Sequence, residues 1–214
     1  MWQQLSEFAA KNALPLSQEQ SQLLVQYAQR VWEKKDRLNL TSAAGVEEIL
    51  QRHICDGLQG AAWVHGWAAQ KARETFTVMD AGSGAGYIGI SWAVALPQTR
   101  VTLVESLEKR CAFLNWVVLK LNLKNVSVKN VRLGEQKGLQ ADVVTERAMG
   151  QLTDILSPCL QAVKPAGVFV AYQGESLSPV AQESYEGVSR WEQTYTLPSD
   201  EKTRRLVCFE KKNV

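Results

Sequence analysis

Phe76-Thr-Val-Met-Asp80-Ala-Gly82-Ser-Gly84-Ala-Gly86-Tyr-Ile-Gly89 decides how this chain folds. Phe76 to Met79 is a short apolar run with the length and composition of a buried strand. It ends on Asp80, four glycines follow within eight residues, and the apolar run Ile90 to Leu96 comes next. The order is strand, glycine turn, helix. Glycine tolerates positive φ and admits a ligand where a Cβ would stand. The helix after it aims its free N–H groups at whatever lies over the turn. A turn this rich in glycine points to a bound ligand rather than to a plain strand-to-helix link.

Downstream, apolar strands and helices alternate, the mark of an α/β fold with a parallel sheet. Strands are predicted at 76–80, 101–105, 126–131, 142–145 and 167–172. Helices lie between them, among them Lys109–Leu121 and Asp154–Val163, the second stopped by Lys164-Pro-Ala-Gly167. Trp191 to Leu197 and Arg205 to Glu210 read as an antiparallel pair at a sheet edge, joined by a short polar loop.

Upstream, residues 1–74 read as a helical segment packed on a core of residues 75–214. Leu5, Phe8 and Ala9 share one face of a helix that stops near Pro15. Ser17 with Gln20 is a capping-box pattern, and Leu23, Leu24, Tyr27 and Val31 carry a second helix to about Lys35. Thr41 or Ser42 is expected to cap a third, which bears Glu47 and Glu48 in its first turn and then Ile49, Leu50, His53, Ile54 and Leu58. Ala61 to Glu74 reads as a helix end and a joint. His53 has no Cys, Ser or metal cluster near it in sequence and reads as a core or supporting residue.

Hydrophobic residues make up 45% of the 214 and charged residues 21%, ordinary for a soluble globular protein. The opening residues lack a basic stretch followed by an apolar one, and no apolar run approaches membrane-spanning length. A cytoplasmic protein with no membrane contact is therefore expected. Cys55, Cys111, Cys159 and Cys208 are widely spaced in apolar surroundings, so buried thiols are expected, with no disulfide framework and no metal site. Net charge is only +2, but Lys34-Lys35, Lys109-Arg110, Arg204-Arg205 and Lys211-Lys212 form short basic clusters. These suit either a solvated face or a phosphate backbone. No heptad or long apolar edge is evident, and a monomer is expected.

Gly84-x-Gly86-x-x-Gly89 matches the dinucleotide fingerprint, a weak signal alone. Asp80 ends the first strand and Glu105 the second, so both carboxylates flank the crevice at the carboxyl ends of the strands. Glu105 is placed to accept hydrogen bonds from two vicinal ribose hydroxyls. Nothing else supports hydride transfer by a nicotinamide-dependent oxidoreductase, and the antiparallel closing pair suits a methyltransferase sheet.

Asp80-Ala-Gly-Ser-Gly-Ala-Gly86, followed by Val104-Glu105-Ser106, resembles the first two motifs of S-adenosylmethionine-dependent methyltransferases. More narrowly, the chain resembles the 16S rRNA guanine-N7 methyltransferase family (RsmG, also called GidB) almost end to end. The resemblance rests on Asn39-Leu-Thr41, Arg52-His-Ile-Cys-Asp56, Glu105-Ser-Leu-Glu-Lys-Arg-Cys-Ala-Phe-Leu114, Val144-Thr-Glu-Arg-Ala148 and Leu206-Val-Cys-Phe209. It implies a Rossmann-like class I sheet of seven strands, the last antiparallel, with an N-terminal helical extension. It also implies methyl transfer from S-adenosylmethionine to N7 of guanine 527 in 16S rRNA, on the small ribosomal subunit or an assembly intermediate. The family pattern puts cofactor contact on Gly82 and Tyr87, with adenine-side contacts at Gly134 and Glu135; Asp80, Gly84, Gly86 and Glu105 join them as expected cofactor residues. Arg147 takes a cofactor-pocket or catalytic role, and Lys109, Arg110 and Arg132 are candidates for RNA contact. The chain departs from the family where prolines are usual, at Ile88 and Ser91, in the extra residue of Arg132-Leu-Gly-Glu135, and at Gln173-Gly174, where Lys-Gly is usual. A non-catalytic RNA-binding homologue is the alternative these departures suggest.

Guanine N7 carries a lone pair and no proton, so its methylation needs no general base; orientation can supply much of the acceleration. That agrees with a chain lacking an evident catalytic dyad. Arg147 reads either as a clamp on a phosphate or the O6/N7 side of guanine, or as a salt-bridge partner of Glu146, Asp142 or Asp80.

Overall fold

Five parallel strands alternate with helices in the computed structural model, which describes residues 1–136, 138–176 and 185–212. They are β1 (Thr77–Ala81), β2 (Arg100–Glu105), β3 (Val126–Asn130), β4 (Ala141–Arg147) and β5 (Val163–Gln173). β6 (Val188–Leu197) and β7 (Asp200–Lys211) complete the sheet, β7 lying antiparallel between β5 and β6. The order is β3-β2-β1-β4-β5-β7-β6. The chain's winding reverses between β1 and β4, and sheets of this kind hold ligands at the carboxyl end of that switch.

Side-chain alternation sorts the strands' residues into two cores. Val78, Leu103, Val143, Val168, Val170, Leu206 and Cys208 join one cluster, and Met79, Val104, Val144, Phe169, Val207 and Phe209 join the other. The helices divide unequally between them. The first cluster takes in α1 (Trp2–Lys11), α2 (Gln18–Leu38), α3 (Val46–Glu48), a π-helical turn (Ile49–Ile54), α4 (Cys55–Gln70), α5 (Tyr87–Ala95) and α6 (Glu108–Lys120). The second is covered by α7 (Leu152–Ala162). All four cysteines are free and buried.

The capping box forms as expected: Ser17 Oγ accepts from the Gln20 amide at 3.2 Å, and Gln20 Oε1 accepts from the Ser17 amide at 2.8 Å. α2 runs past Lys35 to Leu38 and stops where Asn39 turns left-handed, φ 49°. Four expectations need correction. Neither Thr41 nor Ser42 caps the next helix; Gly45 stands there, and Glu48 Oε2 takes the Ala44 amide at 2.7 Å. Within Ala61–Glu74 the joint is shorter than expected: Ala61, Val64, Trp67 and Ala68 are buried and hold α4 helical to Gln70, and only the residues after it link to β1. Lys164-Pro-Ala-Gly167 lies inside β5 as a bulge, the register jumping from Ala141 opposite Val163 to Val143 opposite Val168. β6 and β7 are joined by Pro198-Ser199 alone, so both strands are longer than their apolar residues suggested.

α4 reaches the sheet by pressing glycines against α5. A Cβ on Gly57 would stand 2.8 Å from the Tyr87 carbonyl oxygen and 2.9 Å from Ser91 Cβ, whereas one on Gly66 of the same helix would meet nothing within 4 Å. Gly57→Ala is therefore expected to cost about 1–3 kcal/mol by overpacking. Gly66→Ala should be neutral or stabilise by up to about 1 kcal/mol through helix propensity. Urea midpoints of the two variants measure the difference; equal midpoints would refute the close-approach account.

Candidate active site

The carboxyl ends of β1 and β4 open into a cleft of about 410 Å³. Three pieces of chain build most of it: the glycine turn, the Arg147-Ala148 step at the end of β4, and the π-helical turn that leads into α4; Leu40, Arg110 and Arg204 line the rest. A π turn holds one more residue than an α turn and recurs at functional sites. This one brings Arg52 and His53 to the cleft, with Asp56 just after it.

Gly82, Gly84 and Gly86 have φ of +65°, +59° and +90°, a region that costs glycine little. A Cβ on Gly82 would strike Met149 Cγ at 2.7 Å, so the loop after β4 sits directly on the turn. At Gly84 the same Cβ would meet only the Gly82 carbonyl oxygen, at 3.9 Å, which leaves that position open to a ligand. Asp80, beneath the turn, accepts the Gly89 amide at 2.9 Å and ties α5 to β1. Burial pushes its carboxyl up to about 7, against the opposing pull of the Gly89 amide and Arg147. Glu146, next to Arg147 and also buried, is pushed up to about 7 by burial, although the Met149 amide reaches it at 3.3 Å.

Glu105 lies across the crevice and is 4% exposed. Its Oε2 accepts the Gly84 amide and its Oε1 the Leu107 amide, both at 2.9 Å, with Arg110 Nη1 3.8 Å away. The carboxylate thus fixes the turn as well as facing the crevice, and each oxygen keeps a lone pair for a further donor.

Arg147 pairs with none of Glu146, Asp142 or Asp80. Asp142 sits at the opposite end of β4, bound to Arg73, Lys164 and Thr77. The partner is Asp56: Arg147 Nη1 lies 2.7 Å from its Oδ2, and Tyr195 Oη donates to its Oδ1 at 2.6 Å. Burial works against the guanidinium's charge, but Asp56, with Tyr172 and Tyr87, more than offsets it and the net shift is upward. Arg147 also lies over the Tyr87 ring, 5.3 Å from its centroid, and His53 stacks on that ring at 4.3 Å and 17°. Burial, then Arg147 and Arg52, drive His53 down to about 3, so it is neutral at physiological pH. Ala148 follows with a left-handed φ of 59°, a conformation that costs a residue with a Cβ and recurs at functional sites.

The cleft gathers Asp80, Gly82, Gly84, Tyr87, Arg110 and Arg147, with Glu105 reached through Gly84. Gly86 packs behind the turn on Ile90 and Leu114. Gly134 and Arg132 line a separate hollow of about 240 Å³, and Glu135 is largely exposed, 3.8 Å from Arg132. Lys109 points outward from the first turn of α6, beyond the cleft. Sequence reading missed Asp56, Tyr195 and the cleft position of Arg204. The Arg52-His-Ile-Cys-Asp56 block was the available signal for Asp56; Tyr195 had none.

Asp80 and Glu146 stay protonated in the fold at pH values where the unfolded chain has ionised them. Between about pH 4 and 7 these two acids therefore hold protons that the unfolded chain has lost, and their contribution to stability falls as pH rises through that window, while His53, neutral in the fold, opposes them below about 6.5. Calorimetric unfolding temperatures should decline from pH 5 to pH 8, less steeply in Asp80→Asn; parallel profiles would count against the buried acid.

The family model described as rRNA small subunit methyltransferase G (GidB) matches residues 20–207. A ribosomal RNA small subunit methyltransferase G of Limosilactobacillus reuteri is 31% identical, covering 98% of this chain and 90% of that protein. One of Bacillus cereus is 29% identical over the same shares. A solved structure of a putative O-methyltransferase from Klebsiella pneumoniae superposes with a TM-score of 0.59 at 11% identity, covering 87% of this chain and 90% of its own, a likeness of fold.

Proposed function

The chain belongs to the rRNA small subunit methyltransferase G family, and we propose that it methylates N7 of guanine 527 in 16S rRNA. The methyl donor is S-adenosylmethionine. One observation supports this reading above the others: a glycine turn, the Glu105 carboxylate and an ion-paired guanidinium converge at the switch point of the sheet.

The residues present fit that cofactor. Open space at Gly84 lets a ligand lie against the backbone, and Glu105 retains acceptor capacity for ribose hydroxyls. The buried acids Asp80 and Glu146, at the carboxyl ends of β1 and β4, are protonated by burial and would ionise beside a bound cation. S-adenosylmethionine supplies an electrophilic sulfonium methyl. Bound there, it would give up its methyl carbon to N7 and keep the electron pair of the broken carbon–sulfur bond, and N7 has no proton that a residue of this chain would need to remove. The chain's task is to hold the base in line and keep water out, and a His53 pushed to about 3 is no obstacle to that.

Arg147 then takes the clamp role in a narrower form. A guanidinium hydrogen-bonded to N7 would occupy the reacting lone pair, so its ligand is guanine O6 or a flanking phosphate. Asp56 balances its charge, so the positive charge appearing on the methylated base is not opposed by a bare cation. Asp56 and Tyr195 act through Arg147 as positioning residues. For Gly134 and Glu135 to contact the adenine side, the cofactor must extend from the cleft past the end of β3 to the hollow that Gly134 lines, and Lys109, Arg110 and Arg132 face RNA. The enzyme works as a cytoplasmic monomer on the small subunit or its assembly intermediate; no helix among the described residues is long and apolar enough to cross a membrane.

Mass-spectrometric mapping of 16S rRNA from cells with and without this chain tests the reaction. N7-methylguanine at position 527 should vanish without it and return with the wild type, while Arg147→Ala restores less than about a hundredth of the rate, comparable to losing a transition-state donor. An unchanged nucleotide would defeat the proposal, as would full rescue by Arg147→Ala defeat the clamp. Separately, Glu105→Ala should weaken S-adenosylmethionine binding by one to two orders of magnitude, as loss of hydrogen bonds to a charged group worth roughly 1.5–3 kcal/mol implies. An unaltered calorimetric titration would remove Glu105 from the ribose site.

A further inference from the structure

Outside the cleft, a groove of about 480 Å³ runs between α2 and α6. Lys34, Arg37 and Leu38 line it from α2, and Lys109, Phe113 and Trp116 from α6. It holds three cations and no carboxylate. Cations nearby are matched: Arg30 lies 2.7 Å from Glu33, Lys35 lies 3.1 Å from Asp36, and Arg110 lies 3.8 Å from Glu105. Among the described residues, Lys34, Arg37 and Lys109 have no acidic partner, and the last two are exposed. The Lys34 ammonium lies 5.4 Å over the half-buried Trp116 ring, which packs on Phe113 at 6.0 Å between centroids.

Like charges gathered without counterions repel, and an anionic partner relieves the repulsion. An aromatic floor between such cations is the combination that binds single-stranded nucleic acid, phosphates on the cations and a base on the ring. Groove and cleft are lined by neighbouring residues of the chain. Arg110 lines the cleft and Lys109 beside it lines the groove; Leu40 and Leu38 stand in the same relation on the other wall.

We propose that this groove binds a single-stranded stretch of small-subunit rRNA next to the target guanine, with phosphates on Lys34, Arg37 and Lys109 and a base against Trp116. The proposal rests on rRNA being the substrate of the cleft. It makes the helical N-terminal segment half of the RNA-binding surface.

The test uses the full chain with Lys34→Glu/Arg37→Glu, Trp116→Ala and Trp116→Phe. Three quantities are read: KM for deproteinised 16S rRNA with radiolabelled methyl donor, affinity for a short fluorescein-labelled single-stranded RNA across a salt series, and S-adenosylmethionine affinity by calorimetry. The charge reversal should raise KM at least about tenfold and flatten the salt dependence by about 1 to 2 in log–log slope. Trp116→Ala should weaken RNA binding roughly 5- to 100-fold, and Trp116→Phe should recover most of it, all three keeping wild-type cofactor affinity. RNA affinity and KM within about twofold of wild type in the charge reversal, with the cofactor still bound, would overturn the groove and leave the proposed reaction standing. Weakening seen on whole small subunits but not on naked RNA would also overturn it, since the partner would then be protein. A wild type that binds labelled RNA through this groove yet transfers no methyl would support the groove while defeating the reaction.

Discussion

The contact between Arg147 and Asp56 carries more of this architecture than any other. Each ion loses most of its water, Asp56 being 3% exposed at its side chain, and that loss is repaid only if the geometry is good and the spare lone pairs are filled. Both conditions hold: the separation is 2.7 Å, and Tyr195 fills the second oxygen of Asp56. The three residues come from α4, β4 and β6, so one buried polar contact joins the N-terminal helices, the middle of the sheet and its far edge. Removing either ion would leave the other buried and unmatched, which costs far more than the pair contributes. The pair therefore sets where α4 must lie, and the close approach at Gly57 is what lets it lie there.

The cleft's electrostatics follow from that placement. With Arg147 committed to Asp56, Asp80 and Glu146 lack an ion-pair partner among the described residues and are held by backbone amides, so burial decides their protonation. Glu105 differs: two amides and a nearby guanidinium surround it. The site thus separates one buried carboxylate held by two amides, suited to hydroxyl groups, from two that burial favours in the protonated form and that a cation would draw into their charged form.

Much of the fold could be read from residues alone, because it depends on local patterns. Strand length, apolar alternation and the glycines are short-range signals, and they located five parallel strands and the closing pair. What escaped reading depends on contacts far along the chain. Ala61 to Gln70 looks like a joint because small residues have little helix-marking periodicity, yet they are small so that α4 can lie close to its neighbours. Asp56 and Tyr195 are separated from each other by 139 positions, and no spacing rule connects them. The π turn adds a residue to one helical turn, which shifts the face of everything after it and defeats a fixed 3.6-residue count. Glu105 was legible as a cleft carboxylate, but its hold on the Gly84 and Leu107 amides was not, since backbone donors leave no mark in sequence.

The departures from the family pattern at Ile88 and Ser91 look different once their surroundings are known. Both are buried, and Ser91 stands at the contact between α5 and α4. In an α-helix the amide of residue 91 bonds the carbonyl of residue 87, and a proline there would leave that carbonyl to find another donor. Here the carbonyl of Tyr87 faces Gly57, which has no side chain to offer one. A residue with an amide at position 91 therefore keeps the first turn of α5 internally bonded against a helix that cannot help it. Ile88 similarly presents an apolar side chain to the cleft wall. These substitutions act on the seam between α4 and α5 and leave Asp80, the glycines, Glu105 and the Arg147–Asp56 pair in place.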